Sequence, residues 1–218
     1  MIIQWFGHSS FLIIASNGTK IITDPYNPGA YGETFTHKPI EIPPDIVTVS
    51  HDHADHSYTE GLPGQFSIIS KPGSTIVKGI TFKGIETYHD AEEGSTRGKN
   101  VVFCMSIDSV RICHLGDLGQ MPTPIQAEHI GSVDILMIPV GGHFTIDAEE
   151  ADRVIDLLHS KIVIPIHFRN DKVNFPIAPV DEFLRGKQNV RTFNSSGFEI
   201  SKEMLPEQRE IVVLKHAL

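Results

Sequence analysis

A chain of 218 residues, 40% hydrophobic and 21% charged, has the length and composition of one folded domain spanning 1–218, and not of a disordered polymer. Its formal net charge of −9 makes nucleic acid an unlikely primary partner, since that would favour a basic face. The opening Met1-Ile-Ile-Gln-Trp-Phe has no basic leader, no run reaches the ~18 apolar residues of a membrane span, and two cysteines are too few for a disulfide scaffold. A cytoplasmic protein without a membrane partner is expected.

Short apolar runs at Ile2–Phe6, Phe11–Ala15 and Lys20–Thr23 predict three opening strands, and Asn17-Gly18 predicts a two-residue hairpin turn between the last two. Residues 25–44 hold five prolines and no sustained period, and read as a long loop of the kind that is often functional. An apolar strand over Ile46–Ser50 then empties into His51-Asp-His-Ala-Asp-His56. Further strands are predicted at Phe66–Ser70, Ser74–Lys78 and Ile80–Tyr88. Val101–Ile107 and Val110–Leu115 predict a hairpin turning at Asp108-Ser109, which sets Cys104 opposite Cys113 as two buried free thiols.

Helices are predicted over Thr123–Ile130, with Pro124 in the first turn, and over Thr145–His159. The second is capped by Thr145 or Asp147, has Glu149 and Glu150 early, and places Ala151, Val154, Ile155 and Leu158 at helical spacing. Buried strands Ile135–Val140 and Ile162–Ile166 flank it. A short helix over Asp181–Arg185 and strands over Val190–Phe193 and Ile211–Lys215 complete the chain. Strands first, then alternating strands and helices, fit a layered α/β domain.

Three imidazoles and two carboxylates between His51 and His56 form a candidate metal site. Neutral imidazole and carboxylate suit Zn²⁺ and neighbouring divalent metals. His51 and His53, two apart, share a direction if strand geometry persists, and Asp55 and His56 can then serve a second centre. A solvated polar loop is the plainer alternative, but it does not ask for three histidines in six residues.

The cluster resembles the His-x-His-x-Asp-His signature of the metallo-β-lactamase-fold hydrolases. Gly7-His8-Ser9, Thr23-Asp24-Pro25, His114-Leu-Gly-Asp117, Pro139-Val-Gly-Gly-His-Phe-Thr145 and Val163-Ile-Pro-Ile-His167 resemble other parts of that pattern, in the same order. Within the family, the chain is most similar to small stand-alone metal-dependent hydrolases of the ascorbate-6-phosphate lactonase type. The resemblance implies a four-layer αβ/βα sandwich of two mixed β-sheets with external helices, and metals at one edge between the sheets.

Residue by residue, it implies two divalent cations. His51, His53 and His89 would hold the first, Asp55, His56 and His167 the second, and Asp117 would bridge them. Tyr88-His89-Asp90 departs from the family's Gly-His-Thr form, which leaves Asp90 as a competitor of His89. Zinc is the default for these donors, although manganese, iron and nickel accept similar ones. Such cations lower the pKa of a shared water towards neutrality, and Asp55 and Asp117 would be the catalytic carboxylates around it.

Asp24 would brace the ligand loop by hydrogen bonding, unless it is a turn or cap residue. His8 would line the site or be a plain loop residue, and His114 is taken as structural or supporting. His143 could donate a hydrogen bond to substrate. Arg97, Lys99, Arg169 and Lys172 follow two of the implied ligands and could clamp an anionic group, or simply face solvent.

The expected activity is therefore hydrolysis of a small, anionic ester, lactone or phosphodiester. Alternatives are an RNA-processing nuclease of the same fold and a non-catalytic metal-binding regulatory module. A di-iron oxidoreductase would call for Glu in place of His53. The expected partner is a small-molecule substrate, with homo-oligomerisation left open.

Overall fold

Alternating burial along the first strands determines how the layers stack. The computed structural model describes residues 1–218. Strands β1 (Ile2–Gly7), β2 (Ser10–Ile14), β3 (Lys20–Thr23), β4 (Ile46–Thr48) and β5 (Ser67–Ile69) belong to one sheet. β6 (Gly73–Val77), β7 (Ile80–Tyr88), β8 (Lys99–Ile107), β9 (Val110–His114), β10 (Ile135–Pro139), β11 (Ile162–Ile166) and β12 (Val190–Thr192) belong to another. β13 (Gly197–Glu199) returns to the first sheet and β14 (Glu210–Val213) to the second. The orders are β13-β1-β2-β3-β4-β5 and β12-β14-β11-β10-β9-β8-β7-β6, both mixed.

Ile3, Phe11, Ile13, Ile21 and Ile46 of the first sheet share one buried apolar cluster with Phe82, Val102, Ile112 and Met137 of the second. Their neighbours in sequence, Leu12, Ile22 and Val47, belong to a smaller cluster with Tyr26, Phe35 and Ile40, as strand alternation requires. The proline-rich loop thus covers the outer face of the six-stranded sheet, with only a 3-10 turn at Gly32–Thr34. The α-helices pack against the other sheet: α1 (Pro124–Ile130) meets β7, α2 (Ala148–Leu158) meets β10, and α3 (Val180–Leu184) meets α2. This is the two-sheet αβ/βα sandwich expected, with loop standing in for helix on one outer face. No helix is long and apolar enough to cross a membrane.

Local chemistry sets the element ends. Thr123 and Asp147 each form a capping box, with Gln126 and Glu150 respectively. Ala151, Val154, Ile155 and Leu158 are the buried stripe of α2, each worth roughly 1–3 kcal/mol of burial. Asp108 and Ser109 form the expected two-residue turn, with φ of 50° and 64°. Asp-Ser is a poor pair for that geometry, but Asp108 accepts hydrogen bonds from Ser16 N and Oγ (2.7 and 2.6 Å), which hold it.

Asn17-Gly18 differs from expectation. Ala15 and Thr19 still pair, leaving a three-residue loop in which Gly18 takes φ 87° and Asn17 Oδ1 accepts from Thr19 N. β13 was not anticipated either. It is three residues long, begins with glycine and lies at a sheet edge. Cys104 and Cys113 are opposite each other as buried free thiols, with Cys104 Sγ donating to Cys113 Sγ at 3.2 Å and no disulfide.

Strand direction positions the site. β1 and β3 are antiparallel to β2, and β4 is parallel to β3. β7 and β9 are antiparallel to β8, β10 is parallel to β9, and β11 to β10. The chain therefore leaves β1, β3 and β4 on one side of the first sheet, and β7, β9, β10 and β11 on one side of the second.

Candidate metal centre

Six of the strands just named release a titratable residue into the same small volume, and β10 does not. His8 follows β1, Asp24 follows β3, His51–His56 follow β4, His89 follows β7, Asp117 follows β9 and His167 follows β11. The ligand atoms of His51, His53 and His89 lie within 4.8 Å of one another, and so do those of His51, His56 and Asp117. A third set comprises His8, Asp55, His56 and His167.

Asp117 stands between these sets. Its Oδ1 is 3.2 Å from His56 Nε2, and its Oδ2 is 3.2 Å from His167 Nε2 and 3.3 Å from His89 Nε2. His89 thus points inward. Asp90 does not compete with it, because both Asp90 oxygens accept backbone N–H groups from the loop that follows.

The donor set fits cations. Asp24, Asp55 and Asp117 are all buried, and their ion-pair partners are exclusively histidines, with no Lys or Arg among them. His56 Nε2 and Asp117 Oδ1 are buried without a hydrogen bond although they face each other. Burial opposes a positive charge on His56, yet Asp117 and then Asp55 raise its pKa well above the ordinary value. Burial likewise opposes ionisation of Asp117, and His167 and His56 overcome it. His8, by contrast, is pushed down to about 4 by burial and by His167. Burial lowers the pKa of His8, His51 and His89, which favours the neutral imidazole that a metal requires.

A layer of hydrogen bonds aims these groups. Asp24 accepts from Ser50 N (2.8 Å), Ser50 Oγ (2.6 Å) and His56 Nδ1 (2.9 Å), so His56 turns its Nε2 towards Asp117. Asp24 thereby hydrogen-bonds both the entry to the 51–56 segment and the His56 ring. His8 and Tyr31 each bond one oxygen of Asp55, both at 3.1 Å. His114 donates from Nε2 to Ser9 O and accepts Gly116 N at Nδ1, which fixes a neutral tautomer away from the ligand sets.

Asn100 accepts from Asp117 N at 3.0 Å, and its amide group donates to Thr87 Oγ1 and Leu115 O. Gly116 has φ 56°, and a Cβ there would lie 2.4 Å from Asn100 Oδ1 and 2.6 Å from Ser50 Cβ. His8, Asp24 and His167 also have positive φ, at 52°, 40° and 51°. Such backbone costs on the order of 1 kcal/mol or more per residue and persists only where its surroundings enforce it.

A cavity of about 350 Å³ opens onto the cluster, lined by His53, Asp55, His89, Asp117 and His167 on one side. Tyr31, Thr96, Arg97, Phe144 and Phe175 form the rest of its wall. Of the cations considered from sequence, Arg97 alone lines this cavity, with its guanidinium 5.3 Å from the Phe144 ring centre. Arg169 is exposed, its backbone N–H binds Ala178 O, and it is not on the cavity wall. Lys99 pairs with Glu86 on the surface, and Lys172 is not on the wall. His143 is exposed beside Phe144 and does not line the cavity. Tyr31, Thr96, Asn100, Phe144 and Phe175 are the residues that sequence reasoning missed.

Comparison with known proteins agrees with this geometry. A family described as "Beta-lactamase superfamily domain" matches residues 2–167. The UPF0173 metal-dependent hydrolase of Thermoplasma volcanium is 32% identical over 193 residues, covering 76% of this chain and 82% of that one. One from Thermococcus onnurineus is 27% identical over 194 residues, covering 76% and 84%. The crystal structure of a candidate Zn-dependent hydrolase of the metallo-β-lactamase superfamily from Thermotoga maritima superposes with a TM-score of 0.80 at 37% identity, covering 97% of each chain. With fold, histidine-aspartate cluster and sequence relatives in agreement, the chain belongs to the metallo-β-lactamase superfamily and is a metal-dependent hydrolase.

Proposed function

We propose that this hydrolase holds two divalent cations and cleaves a small ester, lactone or phosphodiester that carries an anionic group. One cation would be held by His51, His53, His89 and Asp117, the other by Asp55, His56, His167 and Asp117, with His8 beside the second set. The observation that carries the reading is a buried, carboxylate-rich histidine cluster opening into a cavity whose wall bears one guanidinium. Bound there, the cations would supply an acidified water and stabilise negative charge developing on the substrate.

The chain's own groups do the rest. Asp117 uses both oxygens, so it can bridge the two sets. Asp55, held on both oxygens by His8 and Tyr31, is fixed in place to orient a water and accept its proton. Phe144 and Phe175 dry the cavity and strengthen charge interactions within it. Arg97 offers a planar pair of donors to a carboxylate or phosphate. Cys104 and Cys113 lie buried in the β8–β9 hairpin and take no part. A polyanionic RNA would favour several cations along its path, and the cavity offers one permanent cation.

Metal content of the purified protein, followed by assays on lactones, anionic and neutral esters, phosphodiesters and RNA before and after chelation, tests this. Two metals per chain, and chelation-sensitive cleavage of a small anionic substrate, are expected. A single metal per chain, or a preference for RNA, would overturn the corresponding half of the proposal.

A further inference from the structure

Asp90 immediately follows His89, and the residues after it run back to β8 as a tight loop. Its Oδ1 accepts from Glu92 N and Gly94 N, both at 2.8 Å. Its Oδ2 accepts from Thr96 N at 3.0 Å and Arg97 N at 2.7 Å. The loop is also closed at its base, where His89 N donates to Gly98 O at 3.0 Å, and within, where Gly98 N donates to Gly94 O at 3.0 Å. One carboxylate with four charge-assisted bonds thus fixes the backbone that bears Thr96 and Arg97.

What that backbone carries is the telling part. Arg153 and Arg209 pair with carboxylates. Arg97 has no carboxylate partner, is half-buried, and lies over Phe144 on the cavity wall. A guanidinium partly withdrawn from water without a protein acceptor is suited to an acceptor on a ligand.

We propose that Asp90 is a positioning residue that makes the 91–97 loop a specificity element, presenting Arg97 to a substrate with one anionic group while its scissile centre lies at the histidine-aspartate cluster. This rests on the hydrolase reading above. Phe144 and Phe175 would pack the apolar part of such a molecule, so the substrate class is a small ester or lactone with a single carboxylate or phosphate beside an apolar portion. Asp90 sets the place of the charge, and Arg97 makes the contact.

The test uses full-length, metal-loaded protein and a pair of esters with the same leaving group, one neutral and one bearing a carboxylate, plus a phosphate-bearing third. Asp90→Asn is nearly isosteric but turns an NH₂ towards two of the four N–H donors. Amide exchange at Thr96 and Arg97 should accelerate in it, with metal content unchanged. The anionic-to-neutral ratio of kcat/KM should fall about tenfold, mainly through KM, in both Asp90→Asn and Arg97→Gln, and no further in the double variant. Whichever anionic ester shows the larger fall identifies the group that Arg97 binds.

Equal loss on neutral and anionic esters, additive losses in the double variant, or unchanged amide protection would each overturn the positioning role. A wild-type preference for the neutral ester would overturn the anionic substrate. If no ester is cleaved, the proposed reaction falls, and calorimetry with inorganic phosphate decides the rest. Affinity about tenfold weaker in both variants supports the loop's role, and unchanged affinity ends it. Should Asp90→Asn not fold, Asp90→Ser, which keeps one acceptor, takes its place.

Discussion

The ligand-bearing edge and the cavity wall opposite it are built on different principles. The edge comes from strand ends whose directions are dictated by sheet hydrogen bonding, and its side chains are braced by buried partners such as Asp24, Asn100 and Ser50. The wall comes from loops: Tyr31 from the proline-rich segment, Thr96 and Arg97 from the Asp90 loop, and Phe144 and Phe175 from connections after β10 and β11. The strand edge fixes atoms that must share a cation to within tenths of an ångström, while loops can vary the substrate surface without disturbing them. Reaction type and substrate choice are thus physically separable here.

The sharpest way to break that separation is Asp117→Asn. Removing the negative charge between the ligand sets should lower hydrolysis by more than about 100-fold, beyond what loss of a supporting partner costs, and weaken metal binding. Steady-state rates and metal stoichiometry read both effects, and near-normal activity with full metal content would deny Asp117 its bridging place. Asp24→Asn acts one layer further out. It leaves His56 without its carboxylate acceptor and should weaken metal affinity about 10–100-fold, measured by chelator competition. If metal affinity held while substrate KM rose, the two regions would not be separable as described.

The loop side yields a smaller effect with a definite sign. His37 is buried against the 25–44 loop's own aromatic residues, and burial pushes its pKa from 6.5 down to about 4. The unfolded chain therefore binds a proton that the folded chain refuses. The resulting stability is complete above about pH 6.5 and is lost as pH falls towards 4, on the order of 3 kcal/mol in all. Denaturant titrations at pH 7 and pH 4.5 should show a flatter pH dependence for His37→Phe than for the natural chain. An identical slope would mean that His37 is not the group responsible. Smallest of all, Arg169→Ala should change kcat/KM on an anionic substrate by less than about twofold, since exposed charges far from partners contribute little.

Sequence showed the edge far better than the wall, for a physical reason. His51–His56, Asp117 and His167 sit directly after apolar runs, and a buried strand is recognisable from such a run even where its neighbours are not. His89 was legible only as the end of a strand, because Tyr88-His89-Asp90 lacks the familiar flanking residues. Tyr31 and Phe175 could not be read this way. They meet because Phe35 bridges Val173 across more than half the chain, and no local pattern records that pairing. Proximity in sequence also misled: Arg169 is two residues from His167, but it is exposed and does not line the cavity. Asn17-Gly18 shows the limit of turn signals, since it located the turn but not its length.

The histidine-only company of the three buried carboxylates has a consequence for the protein's lifetime in a cell. A fold that concentrates negative charge without Lys or Arg to offset it is stabilised by whatever cation it binds. Above the dissociation constant, each tenfold rise in free metal adds about 1.4 kcal/mol to folding stability for each ion bound. Abundance, resistance to proteolysis and melting temperature should therefore all track metal supply, so that starvation for metal removes the polypeptide as well as its activity.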